Sequence, residues 1–148
     1  MNGADETAIT EVITRYGRGL DARNSPLLLS CFADDARIEY FGGAHVVEGI
    51  DAIATFFDFS RGGGLPGVDS ILMTTHVWVP MSIEIDGDRA SALTNCIAYL
   101  LGVVGDEHVL INRGLHYEDD LRRSGDSWHI TRRRHLPDWE TRSPAMRP

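Results

Sequence analysis

The sequence predicts an α+β domain in which N-terminal helices pack on one face of a curved antiparallel sheet. Three observations carry that prediction. Apolar residues in the first part of the chain recur at helical spacing, as in Ile9, Ile13, Tyr16 and Leu20. Beyond residue 70 the apolar period changes to two. The turn sequences Asp86-Gly87-Asp88, Gly105-Asp106 and Ser124-Gly125-Asp126 then divide that stretch into consecutive strands, a long meander.

Residues 5–23 read as a first helix, with Val12 flanking the stripe. Asn24-Ser25-Pro26 ends it and opens a second, short helix over Leu27 to Phe32, with Ser25 as N-cap and Pro26 at the first helical position. Ala33-Asp34-Asp35 stops that helix, and Arg37 to Phe41 forms a strand closed by Gly42-Gly43. A third helix follows Gly49, with Ile50, Ile53, Phe56 and Phe57 as its apolar face. Ser60 to Gly67 is a glycine-rich loop placed to act as a flap over a pocket; it lacks the strand and spacing of a phosphate-binding turn. Strands are expected near 72–85, 90–102, 108–122 and 127–135, with a tail that frays after Trp139.

The 148 residues make one domain, 1–148, with a core of about 6–140, and 43% apolar and 24% charged residues describe an ordinary folded chain. A net charge of −8 argues against nucleic-acid binding, which needs a basic face. No apolar run reaches membrane-spanning length and the first residues do not resemble a signal peptide, so the cytoplasm is the expected location. All 14 basic residues are arginine, which excludes a Schiff-base or P-loop lysine. Cys31 and Cys96 lack a Cys-x-x-Cys partner and read as buried thiols. The six histidines show no metal-ligand spacing, no Gly-x-Ser-x-Gly elbow exists, and neither metal nor cofactor is expected.

Several runs carry a resemblance: Ile13 to Asp21, Cys31 to Ala36, Gly49 to Ile53, Thr75-His76, Asp86 to Ala90 and Tyr117 to Leu121. Over residues 6–140 the chain resembles SnoaL-like proteins of the nuclear transport factor 2-like superfamily. The resemblance implies a cone, a strongly curved sheet wrapped around the first and third helices to enclose a pocket (a cystatin-like α+β barrel), usually as a homodimer or homotrimer. Activities on this fold include scytalone dehydratase, a hexachlorocyclohexane dehydrochlorinase, ketosteroid isomerase and polyketide cyclases, beside non-catalytic modules, so the fold alone selects none.

The resemblance to the dehydratase and dehydrochlorinase branches implies a catalytic pair, Asp21 closing the first helix and His76 on the first long strand. A carboxylate bound to one imidazole nitrogen fixes the tautomer and stabilises the imidazolium, which frees the other nitrogen for proton transfer. Against this, Asp21 lies at the border of the apolar stripe and can be a solvated helix-end residue, and His76 can be a satisfied core histidine. Tyr16 and Tyr40 match positions where related dehydratases place substrate-polarising phenols, although Tyr16 also belongs to the core stripe. Asn95 is the one strong polar group on its strand; where the isomerase and epoxide hydrolase patterns need an acid, it cannot ionise. Arg113 breaks the apolar parity of its strand and can bind an oxyanion or sit in a structural ion pair. One of Arg132 and Arg134 is expected to face the cavity. These residues together imply a cofactor-independent lyase, a dehydratase or similar eliminating enzyme, acting on a small apolar cyclic, polyketide- or steroid-like ligand. An isomerase or polyketide cyclase, or a non-catalytic ligand-binding or assembly module, is the alternative.

Overall fold

In the computed structural model, which describes residues 3–61 and 65–147, helix α1 spans Gly3–Asp21 and buries Ile9, Val12, Ile13 and Tyr16. Asp5 and Glu6 sit in its first turn, where the helix dipole favours negative charge. Helix α2 is shorter than expected, Ser25–Leu29, and its cap is Asn24 rather than Ser25: Asn24 Oδ1 accepts from the Leu27 N–H at 3.0 Å. The Ser25 hydroxyl instead donates to the Phe57 carbonyl, tying α2 to the end of α3 (Ile50–Phe56).

Six strands form a single sheet: β1 (Phe32–Tyr40), β2 (His45–Glu48), β3 (Ser70–Asp86), β4 (Arg89–Val104), β5 (Glu107–Ser124) and β6 (Ser127–Ala145). Their order is β2-β1-β6-β5-β4-β3. The β3–β6 meander is antiparallel throughout, as its turns predict, whereas β1 lies parallel to β6, which makes the sheet mixed and leaves it open. The tail expected to fray is instead ordered in the ladder as far as Ala145 opposite His108. The long first half of β5 gives it a pairing partner, and Trp139 packs against Gly114, where a Cβ would meet the indole at 2.2 Å. Of the glycine-rich segment, Phe59–Arg61 form a 3-10 turn and Leu65 bridges to Val68. The flap expected there includes Gly62, Gly63 and Gly64, which lie outside the described residues.

Two β-bulges decide which side chains look inward. Thr131 is an extra residue between the pairs Asp120–Arg132 and Leu121–Ile130. Regular alternation from Trp128 and Ile130 would carry Arg132 and Arg134 to the core, but the extra residue inverts the parity. Arg133 and His135 point inward instead, and both are buried. The second bulge, at Gly114/Leu115, bends the β5–β6 arm that carries Arg113 and Glu140.

The concave side of the sheet is filled. Tyr16 from α1 meets Phe32, Phe57, Trp78 and Tyr117 edge-to-face at 5.8–6.1 Å. β4 contributes small residues to this face (Ala90, Ala92, Thr94, Cys96, Ala98), which makes room for the rings above it. Its larger side chains, Leu93, Ile97 and Tyr99, face outward. Among the described residues no helix is long and apolar enough to cross a membrane.

Candidate active site

Asp21 is held by the way α1 ends. The Asn24 N–H donates to the Gly19 carbonyl at 2.9 Å and the Arg23 N–H to Leu20 at 3.1 Å, a Schellman closure. Arg23 takes the left-handed position, φ 51°, usually given to glycine. The closure leaves Asp21 as the last helical residue, where the carbonyl end of the dipole disfavours a carboxylate by about 0.3–1 kcal/mol. Three hydrogen bonds from β3 offset this. The Thr74 hydroxyl donates to Oδ1 at 2.8 Å and the His76 backbone N–H to Oδ2 at 2.9 Å, and His76 Nδ1 lies 2.6 Å from Oδ1. Partial burial works to raise the Asp21 pKa, but the bonds from His76 and Thr74 outweigh it and the net shift is downward.

An ionised carboxylate only accepts, so His76 Nδ1 is the donor to Asp21, and in the neutral imidazole Nε2 is then the nitrogen with the lone pair. The His76 side chain is 11% exposed and that of Asp21 29%. Both line an open cleft of about 870 Å³, whose other walls are Thr14, Gly17 and Arg18 of α1, Ala22 just beyond it, Leu27 of α2 and Trp78 of β3. The arrangement can accept a proton at Nε2, hold the resulting imidazolium against Asp21, and return the proton.

The other expected residues fall into three places. Tyr16 and Tyr40 meet hydroxyl to hydroxyl in the core behind the cleft. Burial raises both phenol pKa values, so each keeps its proton. Arg113 is inward and nearly buried but is held by Glu140 (2.6 Å) with its guanidinium over Phe41, the ion-pair arrangement rather than an open oxyanion site. Asn95 is on the opposite, solvent-exposed face of β4, because the small-residue parity of that strand points Thr94 and Cys96 inward. That corrects its assignment to the pocket. Arg132 and Arg134 also face outward, paired with Glu39 and Glu118.

Sequence reasoning missed Arg133 and His135. Arg133 is fully buried, donates twice to Asp119 (2.7 and 2.6 Å), and lies over the Tyr16 and Tyr117 rings at 4.0 and 4.6 Å. Burial alone would favour its neutral form, but the Asp119 charge prevails and its pKa is raised. Its Nη1 has no partner among the described residues. His135 stacks on Tyr40 at 4.7 Å and accepts the Phe41 N–H at Nδ1. Burial, then the charge of Arg113, pushes its pKa down to about 4, so it is neutral at pH 7. Only a bulge-aware register would have revealed either residue. Burial also pushes the Cys31 and Cys96 thiols up, to about 11 and about 12, which leaves neither a nucleophile. Among the described residues no three His, Cys, Asp or Glu side chains gather as a metal site.

Comparison with known proteins gives a consistent picture. The sequence profile of the SnoaL-like domain matches residues 3–134. An uncharacterized protein of Mycobacterium tuberculosis is 28% identical over 138 residues, covering 88% of this chain and 83% of that protein. Among solved structures, a candidate scytalone dehydratase of Novosphingobium aromaticivorans superposes with a TM-score of 0.74 at 17% identity, covering 93% of this chain and 86% of that one. A hexachlorocyclohexane dehydrochlorinase of type 2 superposes with a TM-score of 0.74 at 20% identity, covering 97% and 90%. At these identities the structural likeness concerns the fold, the cystatin-like one.

Proposed function

The chain belongs to the SnoaL-like domain family, and from that premise we propose that it is a cofactor-independent lyase acting on a small, largely apolar cyclic molecule. His76 is the general base and acid, and Asp21 orients it. One observation carries this reading: the Asp21 carboxylate accepts from both the backbone and the ring of His76, which leaves Nε2 as the basic atom of a residue on the cleft wall. Nε2 takes a proton from a ring carbon, the C–H pair becomes the new double bond, and hydroxide or halide leaves from the neighbouring carbon. The imidazolium then protonates a leaving hydroxide, or returns its proton to water after halide loss. A positioned base of this kind supplies about 10²–10⁴-fold.

The two enzymes named above choose the test panel: scytalone and hexachlorocyclohexane, with products identified by mass spectrometry. His76→Gln, which keeps a hydrogen-bonding side chain but removes the base, should lower turnover about 10²–10⁴-fold at unchanged circular dichroism. Undiminished turnover refutes the assignment. Product analysis also separates elimination from isomerisation or cyclisation next to a carbonyl.

A second reading, a ligand-binding or assembly module, is favoured by the filled concave core and by the outer face of the sheet. There Val77, Val79, Leu93 and Tyr99 are exposed together on adjoining strands. That patch suits a second copy of the chain, so we infer a homo-oligomer on either reading, to be measured as molar mass by light scattering.

A further inference from the structure

We propose that Trp78 is a substrate-binding residue of the cleft: its indole N–H donates to an oxygen of the ligand while His76 works on the adjacent carbon. The proposal deepens the function above by naming the substrate class, a neutral ring compound with an acceptor oxygen close to the carbon that loses its proton.

Trp78 follows His76 by two residues on β3, so both side chains leave the same face of the strand. The two rings lie nearly parallel, 24° apart with centroids 5.7 Å distant, and both line the cleft. The indole is fixed from behind by Tyr16 at 5.8 Å and Tyr117 at 5.0 Å. Its Nε1 makes no hydrogen bond among the described residues. A packed tryptophan usually satisfies that donor, as Trp128 does through Asp5 at 3.1 Å.

Gly17 explains how the Nε1 edge of the indole packs against α1, beside the cleft that both residues line. A Cβ at this position would stand 2.1 Å from Trp78 Nε1 and 2.5 Å from Cε2, so only glycine lets the indole edge come up against α1. Glycine inside a helix costs about 1 kcal/mol relative to alanine. Gly19, two residues on, makes its close approach to the Leu28 backbone, whereas the close approach at Gly17 is to the Trp78 indole.

The charges select a neutral ligand. Ionised Asp21 disfavours a carboxylate beside His76, and the other charge of the cleft wall, Arg18, is engaged by Glu11 at 2.8 Å. Where the ligand oxygen is a carbonyl, proton removal at the α-carbon builds negative charge on it, and the Trp78 bond strengthens in the transition state.

The test uses the full chain labelled with nitrogen-15 and follows the three indole N–H signals, assigned by sequential connectivity, as 1-tetralone is added. Tetralin, the same skeleton without oxygen, is the control. The Trp78 signal should move downfield with 1-tetralone and not with tetralin, and 1-tetralone should bind about tenfold more tightly, one hydrogen bond's worth. Trp78→Phe should bind the two alike. An unmoved Trp78 signal up to the solubility limit of 1-tetralone overturns the proposal, and so does a Trp78→Phe variant that keeps the tenfold preference. If that variant does not fold, the wild-type titration decides. His76→Gln should keep the Trp78 shift, so loss of the acid–base reading and loss of this one register in different measurements.

Discussion

Asp119→Asn should be among the most damaging isosteric changes in the molecule. Arg133 and Asp119 both have side chains with 0% exposure and are joined by two parallel hydrogen bonds. The amide keeps the shape but removes the charge, stranding a guanidinium that already has one unpartnered nitrogen. Two unit charges about 4 Å apart attract by about 4 kcal/mol at an effective dielectric of 20. Losing one member of a buried pair costs about 3–5 kcal/mol. For a chain of this length 1 kcal/mol corresponds to about 2–4 °C, so the midpoint should fall by roughly 6–20 °C in thermal circular dichroism. Asp119→Leu combined with Arg133→Met should recover most of that loss, because neither charge then has to be desolvated. The double-mutant cycle should give a coupling above about 2 kcal/mol. A single variant that loses under about 1 kcal/mol, or a double variant no more stable than the single, would refute the reasoning.

His135 gives the chain a pH-dependent stability of known sign. Its folded pKa of about 4 lies below its ordinary value of 6.5, so between those limits the unfolded chain binds the extra proton. This contribution is complete above pH 6.5 and is lost as pH falls toward 4, by roughly 3 kcal/mol in total. Urea midpoints at pH 7 and 4.5 should show the drop, and His135→Phe should flatten it; equal slopes in both proteins would exclude His135 as its source. Gly17→Ala, which elsewhere in a helix would stabilise by about 1 kcal/mol, should destabilise here, because the new methyl overlaps the Trp78 indole. A raised melting midpoint would show that the indole moves aside freely.

The architecture was legible because its signals are local and repeated. The Ile9-Ile13-Tyr16 stripe and three turn sequences suffice to place α1 and the meander. Asp21 and His76 could be named because a resemblance supplied their pairing, which no periodicity specifies across a separation of 55 positions. What stayed hidden depends on register. A single extra residue at Thr131 exchanges Arg132 and Arg134 for Arg133 and His135, and no local property of Arg-Arg-Arg-His marks the slip. Asn95 misled for a related reason: β4 turns its small residues inward and its large ones out, so the polar residue among large neighbours belongs to the outer face. The parallel β1–β6 pairing joins strands about a hundred positions apart, beyond the reach of any turn signal.

The clustering of local exceptions is the strongest physical argument for where function lies. Within seven consecutive residues the chain places glycine in a helix interior at Gly17, a carboxylate at a helix carbonyl end at Asp21, and a non-glycine left-handed residue at Arg23. Each departs from local preference by about 1 kcal/mol, a sum that matters against a typical total stability of about 5–15 kcal/mol. The Schellman closure accounts for Arg23, whereas Gly17 and Asp21 lie outside it and Gly19 already secures the α1–α2 corner. What the three share is a direction: they bring the end of α1 onto β3 (Trp78 beneath Gly17, His76 on Asp21, and the Ile71 carbonyl at the Arg23 guanidinium). Sequences depart from their own local rules mainly where a site requires it, and here the departures converge on the cleft that His76 and Trp78 line.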